Sequence, residues 1–195
     1  MHTILHRINT IDLLEKTSSN FGVEIDIRSN GGSLILHHEP FEQGELFEEW
    51  IRSYHHGTLI LNVKEEGLES LLLKLMNQYK INDFFFLDQS FPFLMKTASM
   101  GESRCAVRVS EYENIETVLS LSGMVDWVWV DCFTCFPLSK KEADQLTNSG
   151  FKLCLVSPEL QGRNERAHVI EFRREVELLG IKGDAVCTKY TDLWD

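Results

Sequence analysis

Val23-Glu24-Ile25-Asp26-Ile27 sets two acidic side chains into an otherwise apolar run. On an extended strand, residues two apart share a side, so Glu24 and Asp26 point one way and the aliphatic residues the other. Downstream, Leu59-Ile60-Leu61-Asn62-Val63-Lys64 repeats the two-residue spacing with an amide and an ammonium. Further short apolar runs fall at 3–5, 34–36, 84–87, 105–109, 127–130, 152–156 and 185–187. Most are too short and too uniformly apolar for strands with one wet face, so they read as strands of a parallel sheet buried on both faces.

Amphipathic stretches separate these runs. Ile11, Leu13 and Leu14 mark a first helix. Leu46, Phe47, Trp50, Ile51 and Tyr54 predict a second, and Leu68, Leu71, Leu72, Leu75 and Met76 a third. Later helices are expected near 93–100, 115–121, 143–147 and 167–179. Strand and helix alternate from end to end, the pattern of repeated β-α units. The run at 34–36 follows 23–27 across Asn30-Gly31-Gly32 and reads as a hairpin partner. Eight strands then remain in 195 residues, or about 24 residues per unit. That suits a compact α/β (β/α)8 TIM barrel, small beside the roughly 250 residues usual for the architecture. An open doubly wound sheet is the alternative. Residues 1–195 are expected to form one domain.

Composition narrows the function. The chain carries 30 acidic against 19 Lys and Arg residues, a net charge of −11. A nucleic-acid partner or a stable membrane anchor is therefore not expected. The N-terminus lacks a basic head followed by an apolar run, and the five cysteines are odd in number. Both features point to a cytoplasmic protein with free thiols. Cys132-Phe133-Thr134-Cys135 has no second metal-binding pair, so neither zinc nor a functional disulfide is expected. Oligomeric state is not specified by the sequence.

The chemistry concentrates at the carboxyl ends of the strands, where β/α barrels carry their sites. Glu24 and Asp26 on one face of a buried strand repel unless a cation or a shared proton separates them. A divalent cation with oxygen ligands, Mg²⁺ or Ca²⁺, resolves the conflict. Asn62 can complete its shell and Lys64 can meet an anion. His6 and His38 flank the site from neighbouring strand ends, as acid–base groups for phosphate ester chemistry. Arg108, Asp131 and Glu159 occupy rim positions.

These residues resemble a known family. His6-Arg7, Glu24-Ile25-Asp26, His38-Glu39 and Asn62-Val63-Lys64 are similar, in order, to the H-R-G, E-x-D, H-D and E-x-K motifs of the glycerophosphodiester phosphodiesterases. Their superfamily includes the phosphatidylinositol-specific phospholipases C. Ser90-Phe91 and the closing 184–188 segment also look similar. The resemblance implies a TIM-barrel, metal-dependent phosphodiesterase acting on a small phosphodiester substrate. His6 and His38 would be its acid and base, and Arg7 would bind phosphate. Glu24, Asp26 and Asn62 would hold the metal, and Lys64 would stabilise developing charge; Arg108 and Glu159 complete the expected substrate contacts. Ile8, Glu39 and Asn62 depart from the family pattern. The spacing leaves His37 as an alternative to His38. A barrel of the same superfamily that binds a phosphate ligand without turnover is the competing reading.

Overall fold

The computed structural model describes residues 1–194. Strand β1 (His2–Leu5) lies parallel to β2 (Gly22–Asn30), which turns at Gly31 and Gly32 into antiparallel β3 (Ser33–Leu36). Both glycines have positive φ, +58° and +91°, a conformation glycine adopts without steric cost. A two-residue strand β4 (Glu45–Leu46) extends this hairpin. The remaining strands are β5 (Leu59–Val63), β6 (Phe84–Leu87), β7 (Ala106–Val109), β8 (Trp127–Val130), β9 (Lys152–Val156) and β10 (Ala185–Thr188).

Parallel ladders join β1–β2, β2–β5, β5–β6, β7–β8, β8–β9, β9–β10 and β10–β1. The sheet is thus curled so far that its two ends, β6 and β7, approach each other. They meet at a single parallel bridge, Phe86 with Cys105, where the Phe86 N–H donates to the Arg104 carbonyl at 2.9 Å. A regular ladder was expected here as elsewhere. Strand β6 ends just past this bridge, at Leu87, and Asp88 then takes a left-handed conformation (φ +59°).

The helices are α1 (Ile11–Lys16), α2 (Phe47–Trp50), α3 (Glu69–Tyr79), α4 (Phe91–Ser99), α5 (Ile115–Leu119), α6 (Lys140–Asn148) and α7 (Arg166–Leu178). Their starts follow capping chemistry. The Thr10 hydroxyl accepts from the Leu13 N–H, and Ser139 with Glu142 forms a capping box. The second helix is shorter than its periodicity suggests. Leu46 belongs to β4, and a 3-10 turn over Ile51–Ser53 replaces the rest. Among the described residues no helix is long and apolar enough to cross a membrane.

Two apolar layers result. Ile25, Ile27, Leu61, Leu72 and Phe172 belong to the larger one, where strands pack on helices. Ile4, Ile60, Phe85, Trp127, Cys154 and Cys187 form a smaller inner one, with Phe85 and Trp127 stacked at 4.6 Å. On β2 the residues of inner phase are Glu24 and Asp26, which pair in register with Ile60 and Asn62. The carboxylates therefore sit where the inner layer would otherwise continue with apolar groups.

Gly22, where β2 begins, is pinned by its neighbours. A Cβ there would stand 2.6 Å from the Thr58 carbonyl oxygen, which is backbone and cannot swing aside. Gly22→Ala should cost about 1–3 kcal/mol in chemical denaturation, the range for overpacking; an unchanged midpoint would show that β2 and the Thr58 segment shift freely.

Candidate active site

The carboxyl ends of the strands open into a cleft of about 210 Å³. His6 and Arg7 enter it from the end of β1, Glu24 from β2, His38 from the loop after β3, and Asn62 and Lys64 from β5. Asp88, Arg108 and Asp131 come from the ends of β6, β7 and β8. Eight residues expected from sequence, Asp131 among them, thus share one cavity. His38 lines it and His37 does not.

Glu24 and Asp26 are fully buried. Glu24 accepts at Oε2 from the Arg7 N–H and at Oε1 from the Asn62 side-chain amide, both at 2.8 Å. Arg7 holds φ +59°, a strained conformation for a residue with a side chain, and this orientation aims its N–H at the carboxylate. Ile8, where the family motif has glycine, is buried, and its N–H donates to the Glu24 carbonyl at 2.8 Å. Asp26 sits behind the cleft wall. Asn9 brackets it, donating to Oδ2 at 2.8 Å and accepting from the Asp26 N–H at 2.9 Å. Lys64 Nζ lies 3.2 Å from Oδ1, and Arg7 Nε 3.6 Å from Oδ2. Asp26 therefore carries two cationic neighbours and Glu24 none this close. Burial, reinforced by Asp26, pushes the Glu24 carboxyl up to about 8.

The histidines differ. His6 is nearly enclosed, with Nε2 3.8 Å from Glu24 Oε2 and no hydrogen bond at Nδ1. Burial, then the Arg7 charge, lowers its pKa to about 3, so the ring is neutral at neutral pH. His38 is half-open to solvent, with Nδ1 2.6 Å from Glu39 Oε1. A carboxylate only accepts, so Nδ1 carries the proton and Nε2 is left for chemistry. The Glu39 in place of the family aspartate reaches this position.

A chain of alternating charges crosses the cleft. Lys64 Nζ is 3.4 Å from Asp88 Oδ2; Asp88 also pairs with Arg108, whose Nη1 is 3.0 Å from Asp131 Oδ2. Asp131 is buried and accepts at Oδ1 from Gln161 Nε2 at 2.7 Å. Burial raises its pKa. Glu159 is elsewhere. It is buried against Ser157 and accepts from the Thr188 hydroxyl at 2.6 Å and the Lys189 N–H at 2.8 Å, so it locks a loop and does not reach the cleft. Sequence reasoning missed Asn9, Gln161 and the cleft-facing role of Trp129. Asn9 gives no sequence signal beyond its position three residues after His6. Cys132 is buried with Arg163 Nη2 2.9 Å from its sulfur, whereas Cys135 is exposed.

The oxygens around Glu24 suit a hard cation. Asn62 Oδ1 is buried without a hydrogen bond beside the raised Glu24 carboxyl, whereas Asp26 Oδ1 is met only by the Lys64 ammonium at 3.2 Å. Buried acceptors left unpaired are costly and mark a place for a missing partner. Oxygen-only donors fit Mg²⁺ or Ca²⁺. Among the described residues, no cluster of three or more His, Cys, Asp or Glu side chains stands ready for a metal. The neutral Asn62 must be counted to reach three ligands here.

Compared with solved structures, the whole chain superposes on enzymes of one kind. A glycerophosphodiester phosphodiesterase from Agrobacterium tumefaciens str. C58 matches at TM-score 0.67 and 10% identity, covering 99% of this chain and 98% of that one. A glycerophosphoryl diester phosphodiesterase from Parabacteroides distasonis ATCC 8503 matches at TM-score 0.68 and 13% identity, covering 96% and 82%. The chain shares its fold with the glycerophosphodiester phosphodiesterases. No protein-family model and no curated protein matches its sequence. At this identity the glycerophosphodiester phosphodiesterase likeness is one of architecture, and the side chains above carry the chemical argument.

Stability should report the buried acid. Native Glu24 keeps its proton up to about pH 8, whereas the unfolded carboxyl loses it near its ordinary 4.5. Between these values the native state binds more protons, so stability falls as pH rises through that window. His6 acts oppositely, costing stability as pH falls from 6.5 toward 3. Because the two effects oppose each other up to about pH 6.5, thermal melts in chelator should show the Glu24 loss between about pH 6.5 and 8, and Glu24→Gln should remove it; a wild-type melting temperature level across that upper range would contradict this.

Proposed function

We propose that the chain is a phosphoric diester hydrolase of glycerophosphodiester phosphodiesterase type, built on a compact (β/α)8 barrel with a loose β6–β7 seam. The observation that carries this is one small cleft, at the carboxyl ends of the strands, that joins two histidines, three cationic side chains and a buried carboxylate beside an unpaired amide oxygen. Glu24, Asp26 and Asn62 would hold Mg²⁺ or Ca²⁺. Bound there, the cation supplies positive charge to a phosphodiester and to the charge that develops as it is attacked.

The side chains do the rest. Arg7, Lys64 and Arg108 orient the phosphate. His6, neutral, takes the proton of the attacking hydroxyl or water. Burial is the main cause of its low basicity; the arriving anion offsets only the further share due to Arg7 and Lys64. His38 protonates the leaving alkoxide from Nε2, and Glu39 supports the imidazolium from Nδ1. Each oxygen of the breaking ester is thereby matched to one histidine.

His6→Ala and His38→Ala should each reduce kcat on a glycerophosphodiester by about 10²–10⁴-fold without unfolding the protein, and His37→Ala far less. Full activity of His38→Ala, or a larger defect in His37→Ala, would sink the assignment. Asn62→Asp should tighten Ca²⁺ or Mg²⁺ binding to the free protein, because ligand charge governs affinity for hard cations. Calorimetry in which Asn62→Asp binds no more tightly than wild type would remove Asn62 from the ligand set.

A further inference from the structure

A groove of about 670 Å³ adjoins the cleft. Leu87, Asp88 and Arg108 line both spaces. The groove lies where β6 and β7 share nothing beyond the Phe86–Cys105 bridge. Its lining mixes residues from the two sides of the sheet: Leu87 and Ala106 belong to the inner apolar layer, Leu94 and Val107 to the outer. It is therefore a slot at the open seam, bordering the cleft on one side and residues of α4 and α5 on the other. Its floor is buried and apolar, and Phe91 and Tyr112, 50% and 77% exposed, stand at its mouth.

We infer that this slot seats an apolar substituent of the phosphodiester, so that the preferred substrate carries an alkyl, acyl or aryl group on one side of its phosphate. The inference rests on the phosphodiesterase reading. Three observations select this occupant. The slot adjoins the cleft across Asp88 and Arg108, which line both, and Arg108 is the cationic side chain expected to touch the phosphate. The cleft, at about 210 Å³, has room for little more than the phosphate and a small alcohol. The slot is of a size usual for small-molecule sites, with a buried apolar floor and with Gln89, Glu113, Asn114 and Thr117 also in its lining. Asp88 and Arg108, paired across the seam, would mark the boundary between the anionic and apolar parts of the substrate.

The test compares methyl 4-nitrophenyl phosphate with octyl 4-nitrophenyl phosphate. Binding is measured by calorimetry on the His38→Ala protein, and turnover on wild type with Mg²⁺ or Ca²⁺ present. The octyl ester should bind about tenfold more tightly or better, since each buried methylene adds to affinity. Thr117 lines the slot on α5 and is exposed, so Thr117→Trp fills the slot from outside. It should abolish most of the octyl preference in binding and in kcat/KM. Should it fold poorly, Phe91→Ala with Tyr112→Ala serves as the second probe and should weaken the same preference. Equal binding of the two esters overturns the inference, as does an octyl preference that survives both variants. Octyl-selective binding with no turnover of either ester leaves the slot standing and removes the phosphodiesterase reading. Turnover of both esters without preference does the reverse.

Discussion

Two carboxylates two residues apart on the inward face of a buried strand impose the condition that the rest of the site answers. Glu24 and Asp26 occupy positions that the inner layer fills elsewhere with isoleucine, phenylalanine and tryptophan. Repulsion and burial together would expel them unless positive charge or protons were supplied. Asp26 receives Lys64, Arg7 and the Asn9 bracket. Glu24 receives only neutral donors, the Arg7 N–H and the Asn62 amide, and its affinity for a proton rises accordingly. The asymmetry marks Glu24 as the group with most to gain from a cation. The left-handed Arg7 backbone makes sense in this setting, because its strain secures a hydrogen bond to a carboxylate that has few partners.

The same condition organises the rim. Lys64 bridges Asp26 to Asp88, and Arg108 bridges Asp88 to Asp131. This line of alternating charges spans the place where β6 and β7 lack a ladder. Side-chain ion pairs thus tie together strand ends that backbone hydrogen bonds leave apart. A net charge of −11 repels anionic ligands at long range. Under the proposed phosphodiesterase reading, Arg7, Lys64 and Arg108 would have to act locally, within a narrow cleft.

Much of this was legible in the sequence, for a physical reason. Buried strands advertise themselves as apolar runs, and a charged residue inside such a run has few explanations. Glu24, Asp26 and Asn62 stood out on those grounds, and the strand runs matched the strands closely. The departures came where local pattern is a weak guide. Leu46 to Tyr54 has helical spacing, yet pairing with β3 captured Leu46. Glu159 lies after a strand, as a site residue should, but its side chain turns back to Thr188 and Lys189. Asn9 has no periodic or motif signature at all, because its role depends on the return of β2 beside β1. The weak seam was invisible as well, since the runs at 84–87 and 105–109 are as apolar as those of strands that do form a ladder.

The most direct test of the central claim is an anomalous difference map from crystals of the protein grown with Mn²⁺ and inorganic phosphate. The account predicts one manganese peak about 2.0–2.6 Å from oxygens of Glu24, Asp26 and Asn62, with phosphate beside it against Arg7 and Lys64. A map with no peak between those three residues, and Lys64 still seated on Asp26 as its charge partner, would contradict it.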